Sequence, residues 1–333
     1  MAAHPNPLRG PKRPLRPPTK RLRDRRAIAG FLDIPARSVK PRERGITHVI
    51  DRGLSVAEVD GLLEVAGDYV DIVKLGWGTA LVSANLEPKL KRYESYGIPV
   101  VLGGTLTELA IRQGRVEGLI GWLRELSLCH VEVSDGTITL DADVKTHLIR
   151  TLTASGFTVL SEVGNKDAAF IMAPYVWVEQ IERDLQAGAW KVITEARESG
   201  TAGIYRADGE VRTGLIDEIA HAIDPDQLIF EAPQRQQQVW LLKRFGTECN
   251  LGNIAADDVL SLETLRLGLR SDTVERFAPG GAENGDPHGS GTVAGGANRD
   301  DGEGGDIESG GLDRSDAGQG RLEPRGGEQG GEQ

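Results

Sequence analysis

LIFEAPQ, residues 228–234, leads three apolar residues directly into the carboxylate of Glu231, which a proline and a turn follow. A short apolar run that ends in a turn signal is typical of a buried strand. A carboxylate at the end of such a strand is costly unless it is paired or used in chemistry. The sequence contains further runs of this kind, so Glu231 can be one member of a set.

Eight such runs alternate with amphipathic stretches of helical spacing between about residues 45 and 275. The runs are THVID (47–51), DIVKLG (71–76), IPVVLGG (98–104), CHVEVSDG (129–136), FTVLSEVG (157–164), WKVITEA (190–196), LIFEAP (228–233) and CNLGNI (249–254). The clearest amphipathic stretches are SVAEVDGLLEVAGDY (55–69), LTELAIRQGRVEGLIGWLRELS (106–127), APYVWVEQIERDLQAG (173–188) and QRQQQVWLLKRFG (234–246).

Eight strand–helix units in one uninterrupted domain predict an α/β fold, a single (β/α)₈ TIM barrel. A doubly wound open sheet is the alternative. That fold favours a glycine fingerprint after its first strand, whereas DRGLSVAE (51–58) does not match GxGxxG. The barrel is therefore the preferred fold.

The ends of the chain differ from this domain in composition. Residues 1–26 carry nine Lys or Arg against one acid together with several prolines, and residues 280–333 contain 18 glycines and no aromatic residue. Such segments bury too little apolar surface to offset their ordering entropy. We expect a disordered basic arm at 1–27, the catalytic barrel at 28–278 and a disordered Gly/Asp/Glu-rich tail at 279–333.

Other features of the composition bear on location and partners. The two cysteines are too few for a disulfide framework or a zinc site, and no apolar run reaches the ~18 residues of a membrane span. The basic arm lacks the apolar region of a secretory signal. These features predict a soluble, cytoplasmic protein without a membrane partner. A nucleic-acid partner is not expected, because a disordered leader explains the basic arm better than a binding segment does.

Charged residues stand at the C-terminal ends of most predicted strands, where TIM barrels build their active sites. The residues at these ends are Asp51, Lys74, Glu132, Glu162, Glu195 and Glu231. A single acid could be a salt-bridge partner at the rim, but five at equivalent positions predict a site. Close packing of acids raises their pKa values unless cations compensate. Candidate compensators are Lys74, Lys166, Arg197 and a divalent ion, and oxygen ligands favour Mg²⁺ over zinc.

Glycine-rich turns after the strands are candidate phosphate cradles, because helix N-termini bind anions. They are GGT (103–105), SDGT (134–137), RESG (197–200) and GNIAADD (252–258). A metal site beside an anion site predicts a phosphorylated or carboxylated substrate whose enolate the ion can stabilise.

Eight ordered motifs closely resemble the phosphosulfolactate synthase family, whose members catalyse the first step of one coenzyme M biosynthesis route. The motifs are KLGWGT (74–79), GGTLTE (103–108), VEVSDG (131–136), SEVGNKD (161–167), EARESG (195–200), FEAPQ (230–234), NLGNI (250–254) and SLETLRLGLRSDT (261–273). The resemblance covers about Gly45 to Thr273, and both ends of the chain lie outside it.

The resemblance implies a carbon–sulfur lyase that adds sulfite to phosphoenolpyruvate with Mg²⁺, giving (2R)-3-phosphosulfolactate. It implies Lys166 as the proton donor to C2, although the family often has a longer segment than GNKD (164–167). Lys74 is the alternative donor or an anion ligand, and Glu231 serves the metal or a lysine. The expected metal ligands are Glu132, Glu162, Glu195 and Asp51. The expected substrate-binding residues are Arg197, Ser199, Gly200, Ser134, Asn253 and Arg270. For Arg270, a structural salt bridge between the last helix and the barrel is an equal alternative.

Two other functions remain open from the sequence. One is a related Mg²⁺-dependent barrel enzyme that acts on another enol phosphate or uses another nucleophile. The other is a non-catalytic, heat-stress-type member of the family. The intact acids and lysines at the strand ends favour an enzyme. The oligomeric state, including a homo-oligomer, is left open.

Overall fold

The computed structural model describes residues 32, 34–136, 138, 140–165 and 172–277. The expected disordered arm and tail, Lys166 and part of the SDGT turn lie outside the described residues. None of the described helices has the length and apolar character needed to span a bilayer.

Eight parallel strands and their helices confirm the predicted barrel. The strands are β1 (Thr47–Asp51), β2 (Ile72–Leu75), β3 (Val100–Leu102), β4 (His130–Val133), β5 (Thr158–Val163), β6 (Lys191–Thr194), β7 (Leu228–Glu231) and β8 (Leu251–Ala255). The α-helices are α1 (Val56–Ala66), α2 (Thr79–Val82), α3 (Leu86–Ser95), α4 (Gly104–Arg112), α5 (Val116–Glu125), α6 (Ala142–Ala154), α7 (Pro174–Ala187), α8 (Thr213–Ala222), α9 (Arg235–Phe245), α10 (Val259–Arg266) and α11 (Val274–Phe277).

Local sequence signals explain where these helices begin and end. Ser55 starts α1 with a reciprocal capping box, in which the Ser55 hydroxyl accepts from the Glu58 amide and the Glu58 carboxylate accepts from the Ser55 amide. Pro174 occupies the first turn of α7, and Gly188 ends that helix in the left-handed conformation.

The amphipathic stretch 106–127 forms two helices rather than one. The helices α4 and α5 are separated at Gln113–Arg115, where Gly114 adopts a φ of +64°. The helical spacing correctly predicted helix here, but it did not show that Gly114 turns the chain between two helices.

Among the described residues, two apolar clusters fill the barrel and its surroundings. The larger cluster packs the outward faces of the strands against the helices and includes Val49, Leu75, Trp177 and Phe230. The smaller cluster forms a layer inside the barrel from Ile46, Ile72, Val101, Leu160, Ile193 and Ile229. This inner layer closes the N-terminal end of the barrel and leaves the C-terminal end for polar residues.

Closure of the barrel has one weak point. β1 pairs with both β2 and β8, whereas β3 and β4 stand at the two ends of the hydrogen-bonded strand order. Two contacts from α4, the helix that follows β3, tie it to β4: the Thr107 hydroxyl donates to the Glu132 carbonyl at 2.8 Å, and the Gly104 amide donates to the Glu132 carboxylate at 2.6 Å. We call this junction the β3–β4 seam.

The β3–β4 seam predicts that Thr107→Val lowers the free energy of unfolding more than Thr146→Val does. Thr107→Val keeps the shape but removes a buried donor, so we expect the free energy of unfolding to fall by about 1–2 kcal/mol. Thr146→Val is the control, because the buried Thr146 hydroxyl has no hydrogen-bond partner among the described residues. That change is expected to be neutral within about 0.5 kcal/mol or stabilising. Urea unfolding of both variants measures the difference, and equal losses would contradict the structural role of the seam.

Candidate active site

The carboxylates predicted at the ends of β4 to β7 meet inside the mouth of the barrel. Glu132, Glu162, Glu195 and Glu231 line one cavity of about 190 Å³ at the C-terminal ends of the strands. Each is at most 4% exposed. Because residues two apart on a strand face the same side, these acids continue the inward face that carries the apolar layer below.

The Lys74 ammonium lies among these acids. Its Nζ is 3.2 Å from Glu231 Oε1, 3.3 Å from Glu132 Oε2 and 3.7 Å from Glu162 Oε2. Burial alone would lower the pKa of Lys74, but the surrounding carboxylates hold that pKa well above its ordinary value. Lys74 is therefore a fixed positive charge in the pocket.

Main-chain amides hold three of the carboxylates in place. The Gly104 amide donates to Glu132 at 2.6 Å, the Ala196 amide donates to Glu231 at 2.9 Å, and the Arg197 amide donates to Glu195 at 2.5 Å. Hydrogen bonds from N–H groups to a carboxylate favour its charged form. The rim of the barrel thus supplies part of the positive potential that one lysine cannot provide.

At Glu231, burial and the neighbouring charges act on the pKa in opposite directions. Burial raises the pKa of Glu231 to about 7, with Glu162 and Glu132 acting in the same direction, although Lys74 and the Ala196 amide oppose the shift. Its two oxygens contact different groups, Lys74 and Ala196. Glu231 therefore fixes the lysine relative to the loop that follows β6.

The structure corrects the prediction for Asp51, which does not enter the pocket. Asp51 is fully buried on the outer face of β1, where its carboxylate accepts from Lys89 at 3.0 Å and from Tyr93 at 3.0 Å on α3. It also accepts from the amides of Gly53 and Leu54. Ile50, one residue earlier, lines the cavity instead. Counting strand ends without checking side-chain alternation caused this error.

Arg270 is also placed away from the pocket. Its guanidinium donates to Ser261 at 2.8 Å and lies 4.0 Å from the Asp272 carboxylate. It lines a separate apolar groove near α11. These contacts favour a structural role of Arg270 over the predicted role in substrate binding.

Of the other predicted ligands, Arg197 and Asn253 line the cavity. Arg197 is exposed at the mouth, while Asn253 is 5% exposed and its side-chain oxygen has no hydrogen-bond partner among the described residues. Both have left-handed backbones, with φ values of 57° and 54°. Non-glycine residues in this conformation are uncommon and concentrate at functional sites.

Ser134, Ser199 and Gly200 lie beside the cavity without lining it. The buried Ser134 hydroxyl donates to Glu108 at 2.5 Å. The carbonyls of Ser199 and Gly200 accept from the side chains of Gln234 and Gln237 at 2.6 and 2.8 Å. These residues fix the shape of the loops that follow β4 and β6.

Sequence reasoning missed two residues close to the acids. Glu198 lines the cavity next to Arg197, and the only signal for it was its place in EARESG (195–200). His48 is fully buried on β1, and alternation within THVID (47–51) places it on the same side as Ile50. Burial and then the Lys74 ammonium lower the pKa of His48 to about 3, against Glu162, so its imidazole is neutral.

The pocket offers carboxylate oxygens, the ligand type that a hard cation prefers, without a preformed cage among the described residues. Among the residues that the structure describes, no three His, Cys, Asp or Glu side chains are arranged as a ready-made metal site. Mg²⁺ commonly binds through only one or two carboxylates and completes its octahedron with water and substrate oxygens. Glu132, Glu162 and Glu195 come from three successive paired strands and fit such a partial set.

Fold and pocket together define a (β/α)₈ barrel with an acidic, lysine-centred cavity where enzymes of this architecture carry their active sites. The family model of (2R)-phospho-3-sulfolactate synthase (ComA) matches residues 35–272. The chain belongs to this family of enzymes.

Full-length relatives agree with the family model. The phosphosulfolactate synthase of Bacillus subtilis (strain 168) is 42% identical over 245 residues, 73% of this chain and 97% of that protein. The phosphosulfolactate synthase of Methanothermobacter thermautotrophicus (strain Delta H) is 40% identical over 245 residues, 72% of this chain and 95% of that protein. The solved structure of 3-hexulose-6-phosphate synthase from Salmonella typhimurium is far more distant, at 13% identity and a TM-score of 0.45 over 66% of this chain and 98% of that chain.

Glu231→Gln tests whether this acid serves the chemistry or only the rim. An amide cannot accept from both Lys74 and the Ala196 amide, so we expect the free energy of unfolding to fall by about 1.5–3 kcal/mol, together with a lower kcat. Melting curves and Mg²⁺-dependent kinetics on the same sample measure both effects. Glu64→Gln on the exposed face of α1 is the matched control. A loss of stability with unchanged kinetics would show that Glu231 is a rim salt bridge only.

Proposed function

We propose that this enzyme adds sulfite to phosphoenolpyruvate and releases (2R)-3-phosphosulfolactate. The sulfur lone pair forms a bond to C3, the double-bond electrons move toward C2 and the carboxylate, and a proton is then added at C2. The phosphate stays attached and needs only a binding site. The observation that supports this proposal most directly is the Lys74-centred acidic pocket in a chain of the phosphosulfolactate synthase family.

The charge of the pocket supports Mg²⁺ as part of the proposal. The cavity is lined by the four buried acids and by Glu198, whereas its cations among the described residues are Lys74 and Arg197. An anionic enol phosphate would be repelled by this excess of negative charge unless a cation were bound with it. We propose that Glu132, Glu162 and Glu195 hold the ion. Bound there, Mg²⁺ would stabilise negative charge that develops on the substrate carboxylate.

Lys74 fits an electrostatic role better than a proton-transfer role. Because the acids keep its pKa well above the ordinary value, Lys74 stays protonated and is a poor proton donor near neutral pH. It can hold the substrate carboxylate or sulfite as a preorganised cation. Glu231 positions Lys74 through their 3.2 Å contact.

The proton donor to C2 is proposed from the family resemblance. The family places a lysine after the motif that reads SEVG (161–164) here, and Lys166 matches it in sequence. Lys166 lies outside the described residues, but the segment that carries it begins next to Glu162 at the end of β5.

The phosphate has candidate partners on the side of the pocket that faces α4. Gly103, Gly104 and Thr105 line the cavity at the N-terminus of this helix, whose dipole attracts anions. The amides of Gly103 and Gly104 already donate to the Leu75 carbonyl and the Glu132 carboxylate. A Cβ at Gly104 would lie 2.0 Å from the Ser134 hydroxyl, so only glycine allows this close approach. Arg197 and Asn253 line the same cavity and can complete the anion site.

The cellular setting is part of the same proposal. Both substrates and the product are small anions, which fits a cytoplasmic enzyme. A role in coenzyme M biosynthesis is the route that the family resemblance favours.

Product formation tests the proposal directly. Purified protein incubated with phosphoenolpyruvate, sulfite and Mg²⁺ is expected to form phosphosulfolactate, detected by mass spectrometry. EDTA should abolish turnover, and Mg²⁺ or Mn²⁺ should restore it more effectively than Zn²⁺. A product only with a different nucleophile would assign the enzyme to another reaction, and full activity without metal would remove Mg²⁺ from the proposal.

Lys166→Ala separates proton delivery from binding. Because a general acid acts mainly in the transition state, we expect kcat to fall about 10²–10⁴-fold while the affinity for phosphoenolpyruvate is nearly retained. Lys91→Ala, at an exposed position of α3, is the control. An unchanged kcat in Lys166→Ala would assign the proton donor to another residue.

A further inference from the structure

One hydrogen bond crosses the mouth of the active-site pocket. The indole N–H of Trp77 donates to Glu198 Oε2 at 2.9 Å, and both residues line the cavity. Trp77 follows β2, and Glu198 lies in the segment that follows β6. We call this contact the Trp77–Glu198 bridge.

The bridge joins segments that come from opposite sides of the barrel. In the strand order, β2 and β6 are separated by β1, β8 and β7 on one side and by β3, β4 and β5 on the other. The two strands are therefore diametrically opposite. The apolar layer that includes Ile46 and Ile229 closes the other end of the barrel, so ligands enter through the mouth that the bridge crosses.

The two halves of the bridge are anchored differently. The segment that carries Glu198 is held from α9, because Gln234 donates to the Ser199 carbonyl and Gln237 donates to the Gly200 carbonyl. A Cβ at Gly200 would lie 2.6 Å from the Gln237 side chain, which shows how closely these groups pack.

The half that carries Trp77 has exposed apolar side chains. Trp77 is 51% exposed, and Leu81 and Val82 on the following helix α2 are 60% and 83% exposed. Trp77 also has a left-handed backbone, with φ 50° and ψ 28°, between two glycines. Segments with few buried apolar contacts open at low free-energy cost. The exposed Trp77 half is therefore the one expected to open.

We propose that Trp77 and Glu198 form a removable cover that admits the anionic substrate and then slows its departure. Because the bridge is a single exposed hydrogen bond, its breakage shifts the open–closed equilibrium by only a modest factor. The cover therefore slows dissociation of the ligand without preventing it. The identity of the ligand rests on the proposed function, whereas the bridge itself does not.

Glu198 has a second effect on entry. Its carboxylate lies at the mouth, so it repels an approaching anion while it accepts from Trp77. Glu198→Gln removes the charge but keeps an oxygen acceptor for the indole. Glu198→Ala removes both, and Trp77→Phe removes the donor but keeps an aromatic ring. These three variants separate the bridge from the charge.

The dissociation rate of phosphoenolpyruvate from the Mg²⁺-loaded full-length protein is the first readout, measured by ³¹P exchange spectroscopy. We expect Glu198→Ala and Trp77→Phe each to raise this rate about 2- to 10-fold, the range of one net hydrogen bond. The double variant should show no further increase, because both changes break the same contact. Glu198→Gln should keep the wild-type dissociation rate and bind the anion faster. Glu210→Ala, an exposed acid in the same loop, is the control.

A second readout needs no ligand. In protein labelled with fluorotryptophan, the ¹⁹F signal assigned to Trp77 by its loss in Trp77→Phe should shift in Glu198→Ala and not in Glu210→Ala. Additive effects of the two substitutions on the dissociation rate would contradict the proposed cover. A Trp77 signal that does not shift in Glu198→Ala would contradict it as well. If that signal shifts but phosphoenolpyruvate does not bind, the proposed substrate fails and the Trp77–Glu198 bridge stands.

Discussion

The contact between the Lys74 ammonium and the buried carboxylates around it is the constraint on which the rest of the pocket depends. Taking charges out of water costs several kcal/mol per ion, and one lysine cannot offset four neighbouring acids. Amides of Gly104, Ala196 and Arg197 supply further positive potential from the barrel rim. This arrangement therefore lowers the stability of the fold. We expect it to be kept because the reaction needs closely spaced charges.

Polar pairs on the outside of the barrel support the strand ends that carry this array. Lys89 and Tyr93 hold Asp51 behind β1. Lys145 donates to the Glu162 carbonyl at 2.6 Å and contacts Asp184 at 3.0 Å behind β5. Each pair is buried and mutually satisfied. They restrict the backbone at the ends of β1 and β5, which is the kind of support that a preorganised site requires.

The architecture and the positions of most pocket acids could be predicted from the sequence, because both follow from local periodicity. Apolar runs of strand length and amphipathic stretches predicted the barrel, and strand ends predicted Glu132, Glu162, Glu195, Glu231 and Lys74 at its mouth. Asp51 was misplaced because its position at a strand end says nothing about which face it occupies. Arg270 was misplaced because its contacts with Ser261 and Asp272 depend on tertiary packing. Glu198 was missed because its partner, Trp77, is distant in sequence and comes close only when the barrel closes.

The β3–β4 seam ties the enzyme's chemistry to the integrity of its fold. Glu132 faces the pocket with its carboxylate and also ties β4 to α4, the helix that follows β3, through its side chain and its carbonyl. A replacement at position 132 would therefore alter the pocket and the contact with the Gly104 amide together, whereas the bond from Thr107 to the main-chain carbonyl would remain. Catalytic divergence within this barrel should proceed from the loops after β2 and β6 sooner than from the end of β4.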